Sequence, residues 1–255
     1  MSHILDKTSA LRQGVVIFIY LAVLTALEFF VAVTFESVFL LVLVALIKAG
    51  LVVYYYMHIY KLNEDSPSDE HSYAYKTGTS RLGLWLFLLS DAFVFGGLMT
   101  ARVNLLGMTR PDLDQDLGLL VTAVLLISSF FMNRGETAMA HGDKKGFMVN
   151  TFITFVLGLG FLIGVVAVEW PQAASHGITP SSGAAGAVFY MMTGMHAFHV
   201  LTGLIFLLVV LNNGRKNLYS AEKHWGVEAC AVYWHFVDLV WIFFYPALYL
   251  IGSAL

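Results

Sequence analysis

Residues 186–211 read GAVFYMMTGMHAFHVLTGLIFLLVVL, 26 positions without a single Asp, Glu, Lys or Arg. At ~1.5 Å of rise per residue a helix of that length reaches about 39 Å, more than the ~30 Å hydrocarbon core of a bilayer. A surface helix of a soluble domain needs a charged or polar face for water, and this stretch offers none. It reads as a membrane span. Working outward, comparable apolar runs lie near 14–35, 37–60, 82–105, 117–131, 147–169 and 226–251. The fourth is short, but 133–140 prolongs it helically into the headgroups, where Arg134 can snorkel. The fold class expected is all-α, an integral membrane bundle of about seven transmembrane helices.

Composition agrees. The 255 residues are 58% hydrophobic and 12% charged, with a mean hydropathy of +0.75, against roughly 25% charged in soluble domains. A water-soluble domain is excluded. The net charge is −3 and the 14 Lys and Arg are scattered between spans, so there is no footprint for nucleic acid. The one cysteine, Cys230, allows neither an intrachain disulfide nor a thiolate cluster and reads as a small buried hydrophobe. The N-terminal MSHILDKTSALRQ carries Asp6 ahead of a run too long for a signal peptide, so it is expected to be retained.

Orientation follows from the basic residues, which favour cytoplasmic loops. Lys7 and Arg12 precede the first span; Lys61, Lys76 and Arg81 lie between the second and third; Arg134, Lys144 and Lys145 follow the fourth; Arg215, Lys216 and Lys223 follow the sixth. Only Arg102 and Arg110 fall on the other side, and Lys48 is inside a span. The N-terminus is expected in the cytoplasm and the C-terminus outside. Residues 63–80, NEDSPSDEHSYAYKTGTS, lack apolar periodicity and read as a solvated cytoplasmic linker. It divides a two-helix hairpin (1–62) from a five-helix segment (81–255).

Ionisable groups at membrane depth are costly and point to function or to packing in the bundle interior. Glu28 and Lys48 fall within about 3 Å of equal depth by helix rise, so they are expected to pair across the hairpin. That pair fixes register or relays protons. Asp91 stands about 14 Å above the cytoplasmic edge, with no basic residue nearby on its own helix. It suits a proton relay, or a neutral acid hydrogen-bonded into a helix interface. His196 and His199 are spaced i, i+3, as are His235 and Asp238, at overlapping depths, so the four are candidates to converge. A haem or metal site is one reading of them. A packing or lipid-headgroup cluster that includes Trp234 is the other. Gly160 and Gly164 form a G-x-x-x-G step for close helix approach, and Gly158, Gly96, Gly97, Gly194 and Gly203 add small faces. No H-E-x-x-H, P-loop or nucleophile motif is present, so no catalytic residue is assigned.

Three stretches in order, RLGLWLFLLSDAFVFGGL (81–98), GMHAFHVLTGLIF (194–206) and YWHFVDLVWIFFYPALYL (233–250), resemble subunit III of haem-copper oxidases, supported by LLISSFF (125–131). KAGLVVYYYMHIYKL (48–62) looks instead like the small bacterial oxidase subunit IV, as if its hairpin were fused to a five-helix subunit III. The resemblance implies an accessory subunit that binds no haem, copper or other metal itself. It would pack against oxidase subunits I and II, hold phospholipid, and support proton uptake and stability of the complex in a bacterial cytoplasmic (inner) membrane. Haem a and copper would sit in the partner subunits. Asp91 takes the place of the family's intramembrane carboxylate, usually a glutamate, one methylene longer. His196 and His199 match its G-x-H-x-x-H, and Trp234, His235 and Asp238 its W-H-F-V-D. The alternatives are a subunit of a quinol oxidase or of a nitric oxide reductase-associated relative. A haem-binding membrane cytochrome and a stand-alone proton-coupled transporter come after these.

Overall fold

A computed structural model of the chain describes residues 6–35, 37–63 and 71–254. Seven helices among them are long and apolar enough to cross a membrane: α1 Lys7–Phe35, α2 Val38–Tyr56, α3 Tyr73–Leu106, α4 Gln115–Ala140, α5 Lys144–Ser175, α6 Ala184–Arg215 and α7 Trp225–Leu250. The fourth span does run on to Ala140.

One boundary differs from the sequence reading. The expected linker, whose residues 64–70 lie outside the described residues, ends early, because α3 starts at Tyr73. Ser72 caps it, its hydroxyl oxygen accepting the Tyr75 N–H at 3.1 Å. Tyr73 then braces this polar first turn against the start of α7: its hydroxyl accepts the Trp225 N–H at 3.0 Å, and Lys223 lies 5.9 Å from its ring. A polar turn held by tertiary contacts shows no apolar period.

α7 is the hub. Nearly all of Val227–Leu250 is buried, and α2, α3, α4 and α6 pack around it, while α1 lies on α4 and α5 bridges α4 and α6. The close approach is set at Trp234, pinned between two glycines. A Cβ on Gly158 would fall 2.4 Å from the Trp234 ring and one on Gly203 2.8 Å from it. Gly160, by contrast, has nothing within 4 Å. Of the G-x-x-x-G step only Gly164 meets a neighbour, Val121 at 3.1 Å; the tighter contact is at Gly158, two residues before Gly160 and on the other face of α5.

Three spans contain wider turns, at Val52–Tyr56, Gly164–Glu169 and Pro246–Leu250. At the last, Pro246 has no N–H and the Ile251 N–H reaches back to its carbonyl at 2.9 Å. Arg102, 2% exposed, fills the resulting gap in hydrogen bonding. Its guanidinium donates to the carbonyls of Ala247 (2.8 Å), Ile251 (2.9 Å), Gly107 (2.6 Å) and Thr109 (3.0 Å). A two-residue parallel pairing, Thr109 with Ser253 and Arg110 with Ala254, closes the same end.

Candidate functional site

Asp91 on α3 does not stand alone. His199 on α6 places Nε2 3.0 Å from its Oδ2, and His199 Nδ1 is 2.8 Å from the Met195 carbonyl. A carbonyl only accepts, so Nδ1 carries a proton; the bond between Nε2 and the carboxyl then needs one more, on either atom. The dyad thus holds a shared proton. Phe95 and Phe198 flank the imidazole at 4.8 and 5.7 Å between ring centres. Both dyad side chains keep some exposure, 19% for Asp91 and 11% for His199, so it borders the outer surface of the bundle.

The four residues expected to converge separate instead. His196 is boxed by Trp241 at 4.8 Å, Phe161 at 5.5 Å and Phe244 at 6.3 Å between ring centres, and neither ring nitrogen finds a hydrogen-bond partner. His235 turns the other way, with Nδ1 2.6 Å from Ser129 Oγ on α4 and its ring 4.9 Å from that of Tyr56. Asp238 lies on that same side and also hydrogen-bonds Ser129. The reason is helical geometry: i, i+3 neighbours differ by about 60° around the axis, enough to face different helices in a crowded bundle. Among the described residues no group of three or more His, Cys, Asp or Glu is disposed to hold a metal.

Trp234 and Trp241 donate their indole N–H groups to α4 hydroxyls, Trp234 to Ser128 Oγ at 3.1 Å and Trp241 to Thr122 Oγ1 at 2.9 Å. With Ser129 these hydroxyls form a polar edge on α4 that fixes the register of α7. The double serine of LLISSFF was the one sequence signal for it.

Lys48 Nζ donates to Glu28 Oε2 at 2.5 Å, with both side chains at most 2% exposed. In hydrocarbon surroundings such a pair avoids two isolated charges.

The largest polar assembly was not foreseen. At the end of the bundle holding the start of α1, Arg81 and Lys61 both bind Glu228, at 2.9 and 3.3 Å. Glu136 lies beside them, its Oε1 3.9 Å from His58 Nδ1. Glu228 is flanked by apolar residues and Glu136 falls in a span's polar tail, so neither stands out in the sequence. Burial, and then Lys61, push the His58 imidazole down to about 3, so it is neutral at ordinary pH. Burial opposes the charge of Lys61, but Glu136 and Glu228 outweigh that and raise its pKa. These groups line a cavity of about 390 Å³ together with Gly14, Tyr56, Asn133, His141 and His224.

The sequence model of the family "Cytochrome c oxidase subunit III" matches residues 2–253. The chain belongs to this family. The match takes in the hairpin as well as the five-helix segment. Among relatives named "Cytochrome c oxidase subunit 3", that of Thermostichus vulcanus is 35% identical over 177 residues, 67% of this chain and 86% of the relative. The horse (Equus caballus) protein is 33% identical over 186 residues, 68% and 70%, and the bovine (Bos taurus) protein 32% over 205 residues, 75% and 77%. As a subunit III, this chain is part of an oxidoreductase complex of the membrane.

Proposed function

We propose that this chain is the accessory, non-redox subunit III of a proton-pumping haem-copper oxidase that reduces oxygen to water in a bacterial inner membrane, its N-terminus cytoplasmic. Subunits I and II would be its neighbours and would carry haem a and copper; phospholipid would coat its apolar flanks. The family match carries this reading. The disposition of the histidines supports it: His196 is enclosed by aromatic rings, His199 is engaged by Asp91 and His235 by Ser129, so none faces another as axial haem ligands do. Eleven of the 14 basic residues fall on the side of Lys7, which supports the orientation. The role we assign to Asp91 and His199 is to hold one exchangeable proton in the membrane, beside the neighbouring subunit.

The test is to purify the complex gently by a C-terminal tag on this chain and record a reduced-minus-oxidised spectrum. Expected is a haem a signal that co-purifies and leaves with the partners when the chain is stripped from them. A haem signal that stays with the isolated chain overturns the reading, as does a preparation with neither haem nor oxidase partners.

A further inference from the structure

A row of buried polar groups, separate from Asp91 and His199, runs inward from the cavity at His58 and Glu136. Buried polar atoms in proteins nearly always have a partner, and those without a protein partner are where ordered water resides. Among the described residues, six of the ten such atoms fall along one interface. Glu136 Oε2 and His58 Nδ1 at the cavity have no protein partner. Tyr56, which lines the cavity, donates weakly to the Gly14 carbonyl at 3.3 Å and sets its ring against His235. Next come His235 Nε2, Asp238 Oδ2, Glu28 Oε1 and the Tyr245 hydroxyl, all buried and all without a protein partner. Ser129 joins His235 to Asp238; α2, which carries Lys48, packs on α7; Lys48 is bound to Glu28; and α1, which carries Glu28, packs on Pro246–Leu250, the turns that follow Tyr245.

Two further observations mark the mouth. His58 holds φ at +51°, a left-handed backbone that costs a non-glycine residue energy and recurs at functional positions. The cavity, at about 390 Å³, has room for on the order of ten waters at ~30 Å³ each. Its charged lining comes from Lys61 after α2, Arg81 on α3, Glu136 on α4 and Glu228 on α7, with His58, His141 and His224, while α1 adds Gln13 and Gly14.

We propose that this cavity opens a hydrated polar file between α1, α2, α4 and α7 that admits water and exchangeable protons as far as the Glu28–Lys48 pair. The file reaches Tyr245. Beyond it the Tyr245 and Tyr249 rings lie against each other at 5.6 Å, and the Tyr249 hydroxyl is spent on Glu169. Proton exchange in the file is a transfer from a hydronium in the cavity to a carboxylate oxygen, Glu136 first, leaving water, and back, with no other bond changed.

The test is hydroxyl-radical footprinting of the intact oxidase by synchrotron radiolysis and mass spectrometry, since radicals form from water beside a side chain. Tyr56 and Tyr245 are 1% and 0% exposed, Phe147 and Phe189 both 0%, so bulk solvent reaches none of them. Expected is oxidation of both tyrosines on the order of tenfold faster than of the two phenylalanines. In the double variant Glu28→Leu/Lys48→Met, Tyr245 oxidation falls to the phenylalanine level while Tyr56 oxidation persists. Tyrosines as silent as the phenylalanines overturn the file. Oxidation confined to Tyr56 in the unmodified complex also overturns it, leaving a hydrated cavity without an inward extension.

Discussion

Glu28 and Lys48 sit 20 residues apart in sequence and 2.5 Å apart in space, with no exposure to share the cost of either charge. Removing one partner strands the other, which costs about 3–5 kcal/mol, whereas replacing both by apolar residues of similar volume is close to neutral. Glu28→Leu is therefore expected to lower the thermal stability of the purified complex strongly, and Glu28→Leu/Lys48→Met to restore most of it. Equal losses in the single and the double variant would show that the pair does not act as a pair. At Asp91 the argument concerns a proton rather than stability. In Asp91→Asn the amide N–H can donate to His199 Nε2 and keep the 3.0 Å bond without the shared proton. Assembly and haem content are expected to stay within about 1 kcal/mol of normal stability, with the change confined to proton uptake measured under turnover. Loss of subunit I or of haem from that variant would make Asp91 structural.

At the scale of helices, the packing of α5 and α6 on α7 rests on where a methyl group does not fit. Gly158 faces Trp234 and Gly160 faces open space. Gly158→Val is expected to destabilise by about 1–3 kcal/mol through overpacking, while Gly160→Val stays within about 0.5 kcal/mol. Thermal unfolding of the two variants side by side checks this. The sequence marked both glycines and their spacing but not the phase of α5, since nearly every face of that helix is apolar and no polar side says which way is out. The same uniformity hid the three wide turns, which shift the phase of the last turns of α2, α5 and α7. The sequence puts Arg102, with Arg110, on the outer side. That it serves as the cap for four carbonyls follows from the turn at Pro246, which no local rule foretells.

Across the whole molecule, charge ties the ends of the bundle together. The start of α1 is clasped to the turn before α5 by Lys7 and Asp143 at 2.8 Å. The Lys7 hydrogen bond, and then the Gly146 N–H, hold the Asp143 carboxyl below its ordinary 3.8. A depressed carboxyl stabilises the fold fully above its unfolded value, and the contribution fades as pH falls through the folded one. Asp143→Asn, which keeps the cap, is expected to lower Tm by about 1–2 °C at neutral pH and by nothing once the pH is well below 3.8. A difference that persists in acid would mean that the clasp is not electrostatic. Membrane class, number of spans, segregation of basic residues to one side and the family were all legible in the amino-acid order, because hydrophobic length and charge sidedness are local properties that each segment carries alone. Only the tertiary structure decided that Asp91 meets His199, that His196 and His235 face apart, and that Glu136 and Glu228 share a cavity with His58. Asp91 and His199 alone lie 108 residues apart, on helices apolar around most of their circumference, so the choice of face belongs to the packing of all seven and not to any one of them.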